Sequence, residues 1–390
     1  MILANIAGQM LYSMLSLYML NLGAQVADVG LVFTLASLVP MVLQIFGGWL
    51  SDTIGRLRVI ALGSSIAVFG YLIIALAPGW EWVLLGLSVE YISNSVVGPS
   101  FGAYISEQSD ENQRGRVFGM TSSIYMTVTV IGPALAGFLA FRFGFKLMMG
   151  IAFAFYLAAT SLRVWMATSE HFAAKKDAKK PTFEGFKTQI SVVFTLLFAG
   201  GIITWIWLTD AIGDTASNMI SQLTPIYFSE IGGVNVEQIG YLNAILGLAI
   251  ITTSPLAGRL VDKVSERASI LMGFTFQAIG LILFLFTQNF VGFAAVMIFL
   301  GAAVGCLIPG YDSLISKVVP AEKRGLAFGL FGTTLGILSL PMPWIGAQLW
   351  ERFTPQTPYL FVITACLVSL PIVWNKFKLP KEESQAVSQA

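Results

Sequence analysis

Four acidic residues lie inside long apolar runs of this 390-residue chain: Glu90, Asp210, Asp214 and Asp312. A charged side chain at mid-bilayer costs about 2.5–3.5 kcal/mol on insertion scales, so a carboxyl there calls for a partner, a water-filled cavity or a proton. Glu90 lies about nine residues, roughly 13 Å, from the near end of its run. Asn94 follows one turn on, on the same face, and no Lys or Arg stands within a turn. That setting suits protonation or substrate binding; a carboxyl that only ties two helices is the alternative. Asp210 and Asp214 are spaced i, i+4; Asn218 and Gln222 extend the row, and Pro225 loosens the helix beyond it. A polar stripe of this kind must face protein or water. Two carboxylates one turn apart resist ionising together, which suits exchange of a proton. Asp210 also reads as an edge residue favoured by a helix N-terminus. Asp312 is expected in a structural ion pair with Lys317 or Arg324.

The elements that hold these acids are apolar helices. The chain is 56% hydrophobic and 11% charged, and its mean hydropathy is +0.78. A soluble protein of this size carries about 25% charged residues, so most of this chain belongs in lipid. About 20 apolar residues cross the hydrocarbon as a helix. Apolar runs at 2–22, 28–50, 58–77, 82–106, 115–141, 146–167, 204–229, 236–260, 268–287, 290–317, 323–350 and 357–375 make about twelve spans. Alternate loops and the C-terminal tail hold 19 of the 22 Lys and Arg residues; only Arg142, Lys146 and Arg352 fall on the other face. By the positive-inside rule the basic face is cytoplasmic, with both termini. The organisation expected is a bundle over 1–168, a linker with an interfacial helix over 169–203, a second bundle over 204–379 and a tail over 380–390. Residues 188–229 are too long for one span, and a break near Gly200 and Gly201 is preferred to an extra crossing. No basic residue precedes the first span, so no cleavable leader is expected. Cys306, Cys366 and His171 give no disulfide or metal spacing. A net charge of +1 suggests no nucleic-acid partner.

The two halves repeat. A gapless shift of 210 positions carries Gly48, Leu50 and Asp52 onto Gly258, Leu260 and Asp262. It also carries Gly30, Gly63, Gly70 and Pro99 onto Gly240, Gly273, Gly280 and Pro309, and Pro133 onto Pro343. Six spans per repeat give both halves the same orientation, related by an axis along the membrane normal. A duplicated bundle of this kind is the mark of a two-halved transporter. The register places the counterpart of Asp210 just ahead of Met1, so the first half lacks that lead-in.

The loop Gly47 to Arg58 resembles the G-x-L-x-D-x-x-G-R-[KR]-x-[KR] signature of the major facilitator superfamily (MFS), through Gly48, Leu50, Asp52, Gly55, Arg56 and Arg58. The stretch GPALAG, Gly132 to Gly137, is similar to the G-P-x-x-G-G motif of that family's exporters, with Ala136 for one glycine and Val128 at the upstream glycine. The arginine that the family's proton-coupled drug exporters carry in the fourth span is absent: Leu87 stands near its place, and Glu90 one turn on. The resemblance implies the MFS fold, an all-α membrane protein of two pseudo-symmetric six-helix bundles around a central cavity. It implies that Gly48, Asp52, Gly55, Arg56, Arg58, Gly258 and Asp262 govern packing between the halves, and Arg56 has Glu107 as a natural partner. The alternative is a solvated topology signal. The first, fourth, seventh and tenth spans line the cavity in this fold. Gln9, Tyr12, Tyr125 and Asn243 join Asn94, Asn218 and Gln222 as cavity candidates, with Trp207 beside them.

No P-loop, zinc-protease motif or serine elbow occurs in the sequence. This disfavours an ATP-driven pump and a hydrolase, and no cofactor is expected. The reading that remains is a secondary transporter of the plasma membrane, working as a monomer and exporting a small organic compound in exchange for protons. The acids proposed to couple protons are Glu90, Asp214 and Asp210. A nutrient importer or symporter, for a sugar or an organic acid, is the runner-up; a membrane sensor or enzyme is the reading of another class.

Overall fold

Apolar runs of this length in lipid must satisfy their own backbone, so they form helices. The computed structural model describes residues 1–38, 40, 55–109, 113–168, 201–319 and 324–377. The first half comprises α1 (Ile2–Asn21), α2 (Val26–Leu38), α3 (Arg56–Leu76), α4 (Trp80–Gln108), α5 (Arg114–Phe143) and α6 (Phe145–Thr168). The second comprises α7 (Ile202–Ser221), α8 (Thr224–Glu230), α9 (Val236–Lys263), α10 (Glu266–Phe286), α11 (Phe290–Val318), α12 (Arg324–Ser339), α13 (Met342–Arg352) and α14 (Thr357–Lys376). These helices make twelve passes, six per half, and no strand occurs among the described residues. Gly48, Asp52, the linker over 169–200 and the tail from 378 onward lie outside the described residues.

Two passes are broken, each beside a proline whose repeat position holds another residue. The seventh is split between α7 and α8 at Gln222 and Leu223, just ahead of Pro225. The matching residue of the unbroken first pass is Leu15. The eleventh is split between α12 and α13 at Pro341, whose counterpart in the unbroken α5 is Ile131. Proline lacks the N–H that the preceding turn needs and crowds its carbonyl. Elsewhere the turns are tight. Gly144 alone separates α5 from α6, with φ +85°. A side chain at that φ is strained.

Within the first bundle α3 and α4 approach through small residues. A Cβ on Gly70 would stand 2.7 Å from the Gly86 carbonyl and 3.1 Å from the Glu90 amide nitrogen. This is the close packing that small residues permit between membrane helices. It seats Glu90 in the α3–α4 seam, where the residue is 1% exposed. The outer surface is apolar instead: Phe286 is 83% exposed and Trp165 68%. Such a surface needs lipid, not water, around it.

The halves meet where the loops are short and poor in charge. A Cβ on Gly30 of α2 would stand 2.5 Å from the Pro343 carbonyl of α13. Nearby, the Trp344 amide donates to Thr34 Oγ1 at 3.2 Å, and the Ala27 amide donates to Glu351 Oε1 at 2.7 Å. Across the other seam, Gly137 of α5 faces Gly240 of α9. A Cβ on Gly240 would meet the Pro133 carbonyl at 2.6 Å. GPALAG thus lies on the helix seam between the halves.

Candidate functional site

Glu90 closes a triad between α4 and α1. Its Oε2 accepts a short hydrogen bond from the Tyr12 hydroxyl, and its Oε1 accepts from Asn94 Nδ2 at 2.5 Å. Asn94 Nδ2 also reaches the Tyr12 hydroxyl at 3.4 Å, and Tyr91 stacks on Tyr12 with ring centroids 6.1 Å apart. No cation pairs with Glu90 among the described residues. The triad serves either protonation state. As a carboxylate, Glu90 accepts twice; once protonated, it donates to a Tyr12 hydroxyl that has rotated. All three residues were legible in the sequence, Glu90 and Asn94 on one helix face and Tyr12 apart from them. Their convergence was not, because Tyr12 and Glu90 are 78 residues apart.

The triad backs onto a cavity between the bundles. Its volume is about 480 Å³, and its wall includes Tyr91 and Asn94 from α4, and Asp214, Asn218 and Gln222 from the seventh pass. Asp214 Oδ2 accepts from Ser339 Oγ at 2.5 Å, and Gln222 Oε1 accepts from Ser16 Oγ at 3.4 Å. A second cavity, of about 610 Å³, is walled entirely by the second bundle and holds Asp210, Asp214 and Asp312. Among the described residues no Lys or Arg lines either cavity.

Four sequence expectations change. The row Asp210, Asp214, Asn218, Gln222 does not share one cavity: Asp210 faces the second, Asn218 and Gln222 face the first, and Asp214 borders both. Each i, i+4 step turns a helix by about 40°, so the row drifts about 120° from end to end. Asn243 also lines the second cavity, and its amide donates to the Ile239 carbonyl at 3.2 Å. Gln9 and Tyr125 line neither cavity: Gln9 packs on Gly132, and Tyr125 is 44% exposed. Asp312 does not pair with Lys317, because residues five apart stand about 140° apart on a helix; the Arg324 side chain, its other expected partner, lies outside the described residues.

Lys317 Nζ pairs instead with Glu266 Oε1 at 2.5 Å, and Ser313 Oγ donates to the same oxygen at 3.1 Å. In the first half Arg56 Nε meets Glu107 Oε1 at 3.0 Å. The shift of 210 carries Arg56 onto Glu266 and Glu107 onto Lys317. Each bundle therefore ties the same two helices at its basic end, with the charges exchanged. Sequence reasoning missed Glu266; the reversed signs at matched repeat positions were the signal. Gly258 and Asp262 sit near the basic end of α9, with Asp262 exposed; Gly55 is the N-cap of α3, and Arg58 is exposed.

The two ties differ in burial, which sets an expected result. The Glu266 side chain is 4% exposed, so Lys317→Met leaves a buried carboxylate with only Ser313, at a cost of roughly 1–3 kcal/mol. Glu107 is 53% exposed, so Glu107→Gln should cost about 0–1 kcal/mol. Thermal unfolding in detergent ranks the two, and an equal or reversed order would reject the asymmetry.

Two six-helix bundles, an inter-bundle cavity and matched ties at one end define a membrane transporter of the two-halved class. The Major Facilitator Superfamily profile matches residues 1–233 and again 206–390, and the chain belongs to that family. A multi-drug resistance efflux pump PmrA homolog of Lactococcus lactis is 25% identical over 372 residues, covering 93% of this chain and 88% of that protein. The multidrug resistance protein MdtG of Escherichia fergusonii is 23% identical, covering 90% and 85%. Among solved structures, a bacterial homologue of the iron transporter ferroportin, in an inward-facing state, superposes with TM-score 0.78 at 15% identity, covering 97% of each chain. The peptide transporter POT, in complex with alafosfalin, superposes with TM-score 0.77 at 14% identity, covering 96% and 91%. These likenesses show the fold. The chain is a multi-pass membrane transporter of small molecules.

Proposed function

We propose that this transporter exports small organic cations in exchange for protons, as a monomer in the plasma membrane with both termini in the cytoplasm, and without enzymatic activity. The observation that carries the reading is the Glu90–Tyr12–Asn94 triad. It is a buried carboxyl with no cation partner among the described residues, satisfied in either protonation state, one layer behind a cavity whose wall carries a second acid, Asp214. The names of the relatives from Lactococcus lactis and Escherichia fergusonii support export. No Lys or Arg among the described residues lines the cavity, which disfavours an organic acid as cargo.

The bundles press together at their charge-poor ends, which suits an inward-facing stage of the cycle. A cation enters from the basic side and rests near Asp214 and Asn94. Its charge favours release of the Glu90 proton through the exposed Asn94 toward the cytoplasm. The bundles then rock about the α5–α9 and α2–α13 seams, and Arg56–Glu107 and Glu266–Lys317 keep each bundle rigid while it moves. On the far side the cation leaves and Glu90 takes a proton. One proton moving inward supplies about 2.3 kcal/mol per 100 mV, which sustains uphill export.

The assay is a proteoliposome loaded with a pH dye and given ethidium. Protons should move opposite to ethidium. Movement of both in the same direction would overturn the exchange reading in favour of symport, and no proton movement during ethidium flux would remove coupling altogether.

A further inference from the structure

At the basic end of the second bundle, two cations rest on indole rings instead of acids. α14 packs between α7 and α10. Where α10 begins, Arg267 Cζ lies over the ring of Trp374, 4.2 Å from its centroid. Where α14 ends, Lys376 Nζ lies over the ring of Trp205 on α7, at 4.9 Å. Neither cation pairs with a carboxylate among the described residues. The ring face attracts the cation and fixes its position. A guanidinium that spends its face on a ring keeps its edge N–H groups for an acceptor such as a phosphate. Both pairs therefore hold charge in place without neutralising it.

The helix that carries them faces lipid. Leu360, Leu367, Pro371 and Trp374 are exposed and recur at helical spacing, as one apolar stripe along α14. The stripe ends in a collar of three consecutive exposed residues, Trp374, Asn375 and Lys376. Tryptophan sits by preference at headgroup depth. α7 and α10 both begin at this end, at Ile202 and Glu266, and helix N-termini favour anions. Lys376, in the last turn of α14, offsets the opposite polarity of that helix's end. The first bundle has no counterpart: the shift of 210 carries Leu57, Val164 and Met166 onto Arg267, Trp374 and Lys376. A bare topology signal needs positive charge in a loop, not a ring beneath each charge.

We propose that this surface is a lipid site, which binds an anionic phospholipid from the surrounding leaflet. The phosphodiester accepts from the Arg267 guanidinium, Lys376 adds its charge from the other flank of α14, and the acyl chains run along the exposed stripe. Basic surfaces between membrane helices take anionic headgroups in this way. A soluble anion would meet the charges and leave the stripe bare; a zwitterionic lipid would cover the stripe and bring no net charge. Arg267, Trp374, Lys376 and Trp205 line neither cavity, so occupancy is independent of cargo and of the exchange reading.

The probe is phosphatidylglycerol, titrated onto the full chain in detergent, with bound lipid counted by native mass spectrometry. It should bind about tenfold more tightly than phosphatidylcholine with the same chains. Arg267→Gln combined with Lys376→Gln should weaken phosphatidylglycerol about tenfold, equivalent to about 1.4 kcal/mol, and leave phosphatidylcholine unchanged. Asn375→Lys sets a third charge in the collar and should tighten phosphatidylglycerol about threefold, a gain that misfolding cannot produce. Arg259→Gln is the control: Arg259 is an exposed cation near the basic end of α9, and no ring lies under it among the described residues. An equal loss in Arg259→Gln would reduce the effect to diffuse attraction and overturn the site. Unchanged affinity in the double variant, weaker binding in Asn375→Lys, or displacement of the lipid by excess inorganic phosphate would overturn it as well.

Discussion

Glu90→Gln should abolish uphill export driven by a pH gradient, by about a hundredfold or more, a loss equivalent to roughly 2.7 kcal/mol. Downhill exchange of labelled for unlabelled cation should persist. The substitution keeps volume and bonding: the glutamine carbonyl accepts from Tyr12, and its amide donates to Asn94 once that side chain turns over. Only the exchangeable proton is removed. The thermal midpoint should stay within about 2 °C of the unmodified protein. Gradient-driven accumulation and counterflow, measured on the same proteoliposomes, separate the two effects. Accumulation at the unmodified rate would reject Glu90 as the coupling group; loss of counterflow together with accumulation would mean that Glu90 binds cargo or holds the fold.

Gly240→Leu carries the second large effect. A Cβ at that position already meets the Pro133 carbonyl at 2.6 Å and Gly137 Cα at 2.8 Å. A leucine has no rotamer that avoids the backbone of α5, so the bundles cannot close at their charge-poor ends. Each bundle keeps its own core, because the three atoms nearest that Cβ all belong to α5 of the partner half. Expected outcomes are correct insertion, loss of transport of about a hundredfold or more, and a conformation opened at that face. A single cysteine in place of Thr34, which receives the Trp344 amide across the neighbouring seam, reports the opening. Its labelling by a membrane-impermeant maleimide, added from the charge-poor side, should rise in Gly240→Leu. Unchanged labelling with full transport would show that this seam does not gate the cavity.

The sequence by itself determined the membrane class, the twelve passes, the doubling and the family. These are one-dimensional properties. Hydrophobic length sets a span, and a shift of 210 exposes the repeat. Glu90 and Asp214 were also legible, because a carboxyl in an apolar run is conspicuous wherever it packs. The two broken passes carry Pro225 and Pro341, but Pro99, Pro255, Pro309 and Pro371 sit inside unbroken helices, so the sequence did not tell a break from a bend.

The tertiary structure decided which polar groups meet. Spacing along one helix put Asp210 with Gln222; the drift of the helix put them in different cavities. Tyr12 completes Glu90 across 78 residues, whereas Gln9, on the same helix, packs against a glycine instead. Glu266 was not singled out in the sequence; the packing of α11 on α10 brings Lys317 to it. Gln277 carried no signal at all, since a lone amide in an apolar helix can bond anywhere; only the packing of α10 behind α7 brings its Nε2 to Ser217 Oγ. The physical reason is common to all of these. Lipid burial is a property of each residue summed along the chain, while pairing depends on the relative rotation of separate helices. Close contacts between small residues set that rotation, and no single helix encodes it.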